Sequence, residues 1–315
     1  MSRPVLLDTD LGSDVDDAIA LALLLASPEL ELVAVTTVAA DVHGRARATA
    51  RLLGLAGRTE VEVCAGARDA LVRRERFVWR DIETEGYPAG PDARLTGEPA
   101  AERIVRAARE RPGLELIAIG PLTNLAHALA LDPGLPECVA CLHVMGGHIR
   151  RVAIGERVCA PGIDYNLCSD PEASAMVLGA GFRTRLVTAD VTLQTWLRES
   201  DLARLATAKG AVARALVPLI RLWTPWQHEI FVAQLGGTLA PDNVAFLHDP
   251  LTVLSLVDES ALGFERLRIV PSIEAGVFRT LEVSEALGIG APMDVATAVD
   301  AGAARAAMIE RLLRV

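Results

Sequence analysis

Lysine is almost absent from this chain: Lys209 is the one lysine in 315 residues, and the other basic side chains are arginines. That argues against chemistry built on a Schiff-base lysine or a P-loop lysine. Position 209 lies in a small-residue context, Ala206-Thr207-Ala208-Lys209-Gly210. Positive charge is scarce as well, with 31 Lys and Arg against 41 Asp and Glu and a net charge of −10. Binding to nucleic acid or to an anionic membrane is therefore not expected. Long apolar runs are missing: the longest near the start, 18–26, has nine residues, whereas a membrane span needs about 20. Strand-like sequence follows directly on Met1-Ser2-Arg3-Pro4, so no signal peptide is expected. Five cysteines without framework spacing point to a reducing, cytoplasmic setting. Cys138-Val139-Ala140-Cys141 has the letters of half a zinc site, but no second pair completes it, and both cysteines are expected in the core. No repeat, low-complexity tract or linker divides the chain. With 51% hydrophobic residues, 1–315 is expected to fold as one domain around a large core.

What the chain has in abundance is acid at one place. Residues 8–17 read Asp8-Thr9-Asp10-Leu11-Gly12-Ser13-Asp14-Val15-Asp16-Asp17, between the apolar runs 5–7 and 18–26. The order is strand, carboxylate loop, helix. Carboxylates crowded on one loop repel one another by roughly several kcal/mol unless a cation neutralises them. Oxygen ligands without Cys or His suit Ca²⁺ or Mg²⁺ rather than Zn²⁺. A solvated acidic turn capping a helix is the alternative, and the apolar runs on both sides count against it.

Strand-like and helix-like segments alternate along most of the sequence. Strands are expected at 5–7, 32–38, 61–64, 114–119, 138–145 and 183–187. Helices are expected at 16–26, 45–55, 98–109, 124–131, 171–178 and, mostly helical, 202–223. Segments 264–270 and 277–283 read as a hairpin-like pair, and 296–313 as a final helix. This βαβα order with near-continuous apolar strands predicts an α/β fold, Rossmann-like, with a mostly parallel central sheet and helices on both faces. Two stretches break the alternation, 72–95 and 150–162, and both read as long surface loops of the kind that carry function.

Polar groups follow several strands: Gly120-Pro121-Leu122-Thr123-Asn124, Met145-Gly146-Gly147, Asp164-Tyr165-Asn166 through Asp170-Pro171-Glu172, and His248-Asp249-Pro250. Ligands of parallel sheets gather at strand carboxyl ends, so these segments can converge with the acidic loop on one site. A metal, carboxylates and a nearby His suit metal-assisted hydrolysis.

These five motifs, in this order over nearly the full length, resemble the inosine–uridine-type nucleoside hydrolases. The resemblance implies a Ca²⁺-dependent enzyme that cleaves the N-glycosidic bond of ribonucleosides through an oxocarbenium-like state, in nucleoside salvage or catabolism. It implies that Asp10, Asp17 and Asp249, with the carbonyl of Thr123, hold Ca²⁺ beside a water and the ribose 2′- and 3′-hydroxyls. Asp10 would be the general base, and Asp16 would hydrogen-bond the ribose hydroxyls. Asp41, Met145, Asp164 and Asn166 would surround the ribose, and Asp8 would support the loop. His248 would stand near the departing base and help protonate it. The resemblance also suggests a homodimer or homotetramer.

The sequence departs from the family pattern in places. Two extra residues precede the final acid pair, so Asp14 competes for the sugar or for a ligand role. Asp41 stands where the family usually has Asn. Asp164 stands where it usually has Glu, one methylene longer. Gly155-Glu156 replaces the usual Gly-Asn, and 82–86 replaces a His-Gly loop. The metal machinery is kept while the sugar contacts are altered.

Trp223, Gln227 and Phe231, spaced to share a helix face, are candidates for stacking a nucleobase, as Trp226 and His228 are by position, with Pro225 a candidate kink. Core or interface packing is the competing account of that face. His43, His127, His143 and His148 are expected to be structural, with His148, just after Gly146-Gly147, the candidate exception. Two other functions compete. One is a haloacid-dehalogenase-like phosphatase, from the strand ending in Asp-x-Asp. The other is a ribose- or nucleoside-binding protein with drifted sugar contacts.

Overall fold

The computed structural model describes residues 2–12, 14–72, 86–87, 92–235 and 238–315. Ser13, Trp79 and 82–85, with most of the 72–95 stretch, lie outside the described residues.

The first half runs β1 (Arg3–Thr9), α1 (Asp16–Leu25), β2 (Leu30–Thr37), α2 (Val42–Leu55), β3 (Glu62–Ala65), β4 (Arg94–Thr96), α3 (Ala100–Glu110), β5 (Glu115–Ala118), α4 (Thr123–Leu131), α5 (Leu135–Cys138) and β6 (Cys141–Met145). There follow β7 (Val152–Ile154), β8 (Arg157–Cys159), α6 (Tyr165–Ser169), α7 (Pro171–Leu178), β9 (Thr184–Val187), α8 (Ala189–Thr192), β10 (Trp196–Arg198), α9 (Glu199–Ala206) and α10 (Ala211–Leu235). The chain ends with β11 (Asn243–Phe246), α11 (His248–Val257), β12 (Leu262–Glu274), β13 (Val277–Val283), β14 (Ala291–Val299) and α12 (Ala301–Leu312).

Ten strands make one sheet in the order β13-β12-β14-β9-β6-β5-β1-β2-β3-β4. It is parallel from β14 to β4, and β12 joins β14 and β13 antiparallel. β1 lies between β2 and β5, with Asp8 opposite Thr36 on one side and Ala118 on the other. Buried on both faces, its apolar run Val5-Leu6-Leu7 is wholly excluded from solvent. The strand order reverses between β1 and β5, and the crevice beyond their carboxyl ends is where a doubly wound sheet receives its ligand.

The helix after the acids is apolar all round: Ala18 to Leu24 are all buried, and α1 packs against α11. A helix without a polar stripe is a core element, so the acids at its N-terminus are carried inward with it. No helix among the described residues is long and apolar enough to cross a membrane.

Four sequence expectations need correction. Cys138 closes a short helical turn, and the strand begins only at Cys141; Pro136 at the first turn of α5 favours helix there. Residues 296–299 belong to β14 rather than to the final helix. Pairing with β9 and β12 overrides the helix preference of that Ala-rich run. The 150–162 stretch folds into the hairpin β7–β8. Asp249 does not follow a strand of the central sheet; β11 pairs only with β10 in a separate two-stranded sheet.

Candidate active site

β1 delivers Asp8 and Asp10, and the chain then turns through Gly12, whose φ of +114° favours glycine, before α1 opens with Asp16 and Asp17. Gly120, after β5, is needed for a different reason: a Cβ there would lie 2.8 Å from Asp10 Oδ1. From the far end of the sequence, Asp249 arrives in the first turn of α11. Asp16, Asp17 and Asp249 are all buried, and each offers an oxygen within 4.8 Å of the others'. The Asp249 backbone N–H donates to Asp16 Oδ2 at 3.0 Å. The Thr9 hydroxyl donates to Asp17 and accepts from the Leu11 N–H at 3.1 Å, which ties the loop to its own acid.

Burial pushes all three carboxyls well above the usual range. The charges of Asp14 and Asp10 add to the rise at Asp16, those of Asp10 and Asp16 at Asp17, and those of Asp16 and Asp17 at Asp249. Arg45, 1% exposed, places Nη1 3.8 Å from Asp10 Oδ2. One guanidinium does not balance this many acids. An all-oxygen donor set with repelling, desolvated charges fits a hard divalent cation. The closest trio contains Asp16, where the resemblance implied Asp10; Asp10 stands beside it and raises all three.

Asp8 is turned away from this trio. Its Oδ1 accepts from Thr36 Oγ1 at 2.5 Å and Asn124 Nδ2 at 2.7 Å, and burial raises it to about 7. Asn124 also donates to the Thr37 carbonyl and accepts from Ala67 N–H, so it ties β1, β2 and the loop after β3 together.

The acids line a cavity of about 220 Å³. Met145, Asp164, Asn166, Trp223, Gln227, Phe231 and His248 line it with them. Asn166 Nδ2 donates to the carbonyls of Ile119 (2.8 Å) and Met145 (3.2 Å), which joins the ends of β5 and β6. Asp164 caps α6 by accepting from Leu167 N at 2.8 Å, and burial raises its carboxyl to about 6. His248 Nδ1 lies 2.6 Å from Thr192 Oγ1, with its ring 5.4 Å from that of Phe246, which in turn lies 4.8 Å from Phe231. Burial lowers His248 to about 4, so its ring is neutral at pH 7.

Sequence reasoning thus brought Asp10, Asp14, Asp16, Asp17, Met145, Asp164, Asn166, Trp223, Gln227, Phe231, His248 and Asp249 to one cavity. Two candidates are elsewhere. Asp41 is a correction: its side chain is 54% exposed, it accepts from Gly44 N–H at 2.9 Å as the N-cap of α2, and it is not part of the cavity lining. Thr123 is buried at the start of α4, outside the lining, and its hydroxyl donates to Asp170 Oδ2 at 2.7 Å. Gln227 lines the cavity, but its amide is engaged, donating to Asn243 Oδ1 (3.0 Å) and accepting from Phe246 N–H (2.8 Å). The lining also includes residues not chosen from sequence, among them Ile154, Cys159, Leu193 and Ile230, together with His148, the histidine set apart above. Ile154 and Cys159 come from the β7–β8 hairpin, whose only sequence signal was the length of the 150–162 stretch.

The model of one protein family, inosine-uridine preferring nucleoside hydrolase, matches residues 5–307. A protein named probable uridine nucleosidase 2, from Arabidopsis thaliana, is 30% identical over 263 residues, covering 80% of this chain and 77% of that protein. The pyrimidine-specific ribonucleoside hydrolase RihA of Enterobacter sp. (strain 638) is 32% identical over 265 residues, 82% of this chain and 80% of its own. Among solved structures, one titled as the plant nucleoside hydrolase PpNRh1 superposes with a TM-score of 0.82 at 25% identity, over 99% of both chains. A purine-preferring ribonucleoside hydrolase from Gardnerella vaginalis shares the fold with the same TM-score, at 24% identity over 99% of this chain and 98% of its own.

Proposed function

Because the chain belongs to the inosine-uridine preferring nucleoside hydrolase family and is a nucleoside N-glycosyl hydrolase, we propose that it cleaves ribonucleosides to free base and ribose with the aid of Ca²⁺ held by its buried acids. The observation that carries this reading is the convergence of Asp16, Asp17 and Asp249, from opposite ends of the sequence, with carboxylate oxygens within 4.8 Å. Asp10, Asp17 and Asp249, with the Thr123 carbonyl, would hold the ion. When bound, Ca²⁺ supplies the charge that lowers the pKa of a water and orients the ribose diol.

The remaining roles belong to the protein. Asp10 takes the proton of the water that attacks the anomeric carbon. Asp16 accepts a hydrogen bond from the ribose hydroxyls, which strengthens as the sugar becomes oxocarbenium-like. Met145 and Asn166 shape the ribose wall; Trp223 and Phe231 flank the base. His248 is a neutral hydrogen-bonding partner of the departing base. Lowered to about 4 by burial, the ring is uncharged at pH 7 and offers its one N–H to the base. The extra carboxylate, Asp14, lies in the same cavity and competes with Asp16 for the hydroxyls. Uridine heads the substrate panel, since the Arabidopsis and Enterobacter relatives are named for uridine and pyrimidine ribonucleosides. Family membership removes the phosphatase alternative.

The test is reducing-sugar release from purine and pyrimidine ribonucleosides and their 2′-deoxy forms, with and without a chelator. The account expects release from a pyrimidine ribonucleoside, lost with chelator and in Asp10→Asn. Undiminished release after chelation would refute the cation's role; release from none of them would refute ribonucleosides as substrates.

A further inference from the structure

Arg45 stands where a cation has little local support. It lies in the first turn of α2, and a helix N-terminus disfavours positive charge. At 1% exposure it is among the largest side chains shut off from water. A buried guanidinium is costly unless an anion answers it. The acid cluster supplies one: Nη1 lies 3.8 Å from Asp10 Oδ2, and the Arg45 charge works against the rise at Asp17. The backbone that carries Arg45 is fixed. Its N–H donates to the Asp41 carbonyl at 2.9 Å, and its carbonyl accepts from Thr49 Oγ1 at 2.8 Å. Arg45 is not part of the cavity lining, whereas Asp10 is, so a bound nucleoside meets Asp10 and not Arg45.

The two oxygens of Asp10 have different neighbours. Oδ2 faces Arg45, while Oδ1 lies so close to Gly120 that a Cβ there would come within 2.8 Å of it. This inference rests on the proposed function, in which Asp10 both touches the ion and takes the proton of the attacking water. Those two duties fall on one carboxylate. Aspartates bind Ca²⁺ through one oxygen or through both, and a carboxylate that gives both to the ion is no longer aimed at the water beside it. We propose that Arg45 is the positioning residue of the general base: it holds the Oδ2 side of Asp10, keeps the carboxylate from giving both oxygens to the ion, and by its charge lowers the affinity of the site for Ca²⁺. The site then binds its ion less tightly than its acids alone would, and Asp10 stays oriented for proton transfer.

The test compares the wild type with Arg45→Met, which removes the charge, and Arg45→Lys, which keeps it. Each is followed by Ca²⁺ calorimetry at pH 8, thermal melting and uridine cleavage. Arg45→Met is expected to bind Ca²⁺ at least about tenfold more tightly, because a nearby positive charge no longer opposes the ion. Its kcat falls by about tenfold or more, the effect of a misplaced catalytic group, with KM within about threefold. In chelator it melts below the wild type, and Ca²⁺ raises its melting point further. Arg45→Lys keeps Ca²⁺ affinity within about threefold and recovers part of kcat. A tighter ion with slower turnover is a pairing that damage to the fold does not produce. If Arg45→Met does not melt cooperatively, Arg45→Gln removes the same charge and is read in its place. Weaker or unchanged Ca²⁺ binding, or an unchanged kcat, makes the inference wrong while the hydrolase reading stands. A wild type that binds Ca²⁺ but cleaves no ribonucleoside sinks the hydrolase reading, and the calorimetric comparison then decides whether Arg45 opposes the ion. A wild type that binds no Ca²⁺ sinks both.

Discussion

The backbone N–H of Asp249 donates to the carboxylate of Asp16 across 3.0 Å, joining residues 233 positions apart. Asp16 opens α1 and Asp249 stands in the first turn of α11, so two helix N-termini face each other with acids on both. Helix N-termini stabilise negative charge, typically by 0.3–1 kcal/mol each. Burial works the other way and prevails, because both carboxyls remain well above their ordinary range. The site therefore binds protons where it would bind a cation, and most of its measurable behaviour follows from that competition.

Asp17→Asn separates function from stability. Losing one ligand charge is expected to weaken Ca²⁺ binding and kcat/KM by at least about 100-fold. In chelator, the same variant melts higher than the wild type, by roughly 2–4 °C for about 1 kcal/mol of relieved repulsion. Calorimetric melting with and without Ca²⁺ reads both. A lower melting point in chelator would show that the acids are not straining the fold.

The stability contributed by Ca²⁺ grows with pH. Asp8 is raised to about 7 and Asp164 to about 6, with Asp16, Asp17 and Asp249 raised as well, against 3.8 for a free aspartate. Between about 4 and 7 the folded state binds more protons than the unfolded one, so without a cation stability falls as pH rises. Ca²⁺ binds where the protons of the clustered acids Asp16, Asp17 and Asp249 leave. The Ca²⁺-induced rise in melting temperature is expected to be larger at pH 8 than at pH 5; a shift independent of pH would contradict the site.

His248 does not titrate near neutrality. Held at about 4 by burial, it stays neutral from pH 5 upward. His248→Ala is expected to lower kcat/KM about tenfold, the size of a lost neutral hydrogen bond, without changing the shape of the pH profile between 5 and 8. A limb near pH 6.5 that disappears in the variant would instead make His248 the proton donor.

Asp41→Asn tests a position that the sequence placed at the sugar and the structure places in solvent. Its carboxyl caps α2, and Asn caps nearly as well. Uridine kcat/KM is expected to stay within about twofold; a large change would bring Asp41 back to the substrate.

Much of this was legible in the sequence, for physical reasons. Five acids between two apolar runs cannot be a solvated turn when the flanking run is a helix buried all round, as Ala18 to Leu24 are. The strand–helix alternation likewise announced the parallel sheet and its ligand edge. What escaped depended on tertiary pairing. Among the described residues the short strand Asn243–Phe246 pairs only with Trp196–Arg198, and nothing in the letters Asn-Val-Ala-Phe says that it leaves the main sheet. Asp41 follows a strand like Asp10 does, but Ala39 and Ala40 adopt φ of +65° and +51° and precede its turn into the cap of α2. His148 was distinguishable only by its place after Gly146-Gly147, since a residue's part in the cavity lining is invisible until the cavity is built.

The most direct test titrates Ca²⁺ into chelator-treated protein while following bound ion and uridine cleavage in the same samples. The account predicts one saturating site per chain, half-maximal cleavage at the free Ca²⁺ that half-fills it, and neither signal in Asp17→Asn. Cleavage that persists with no ion bound would contradict it.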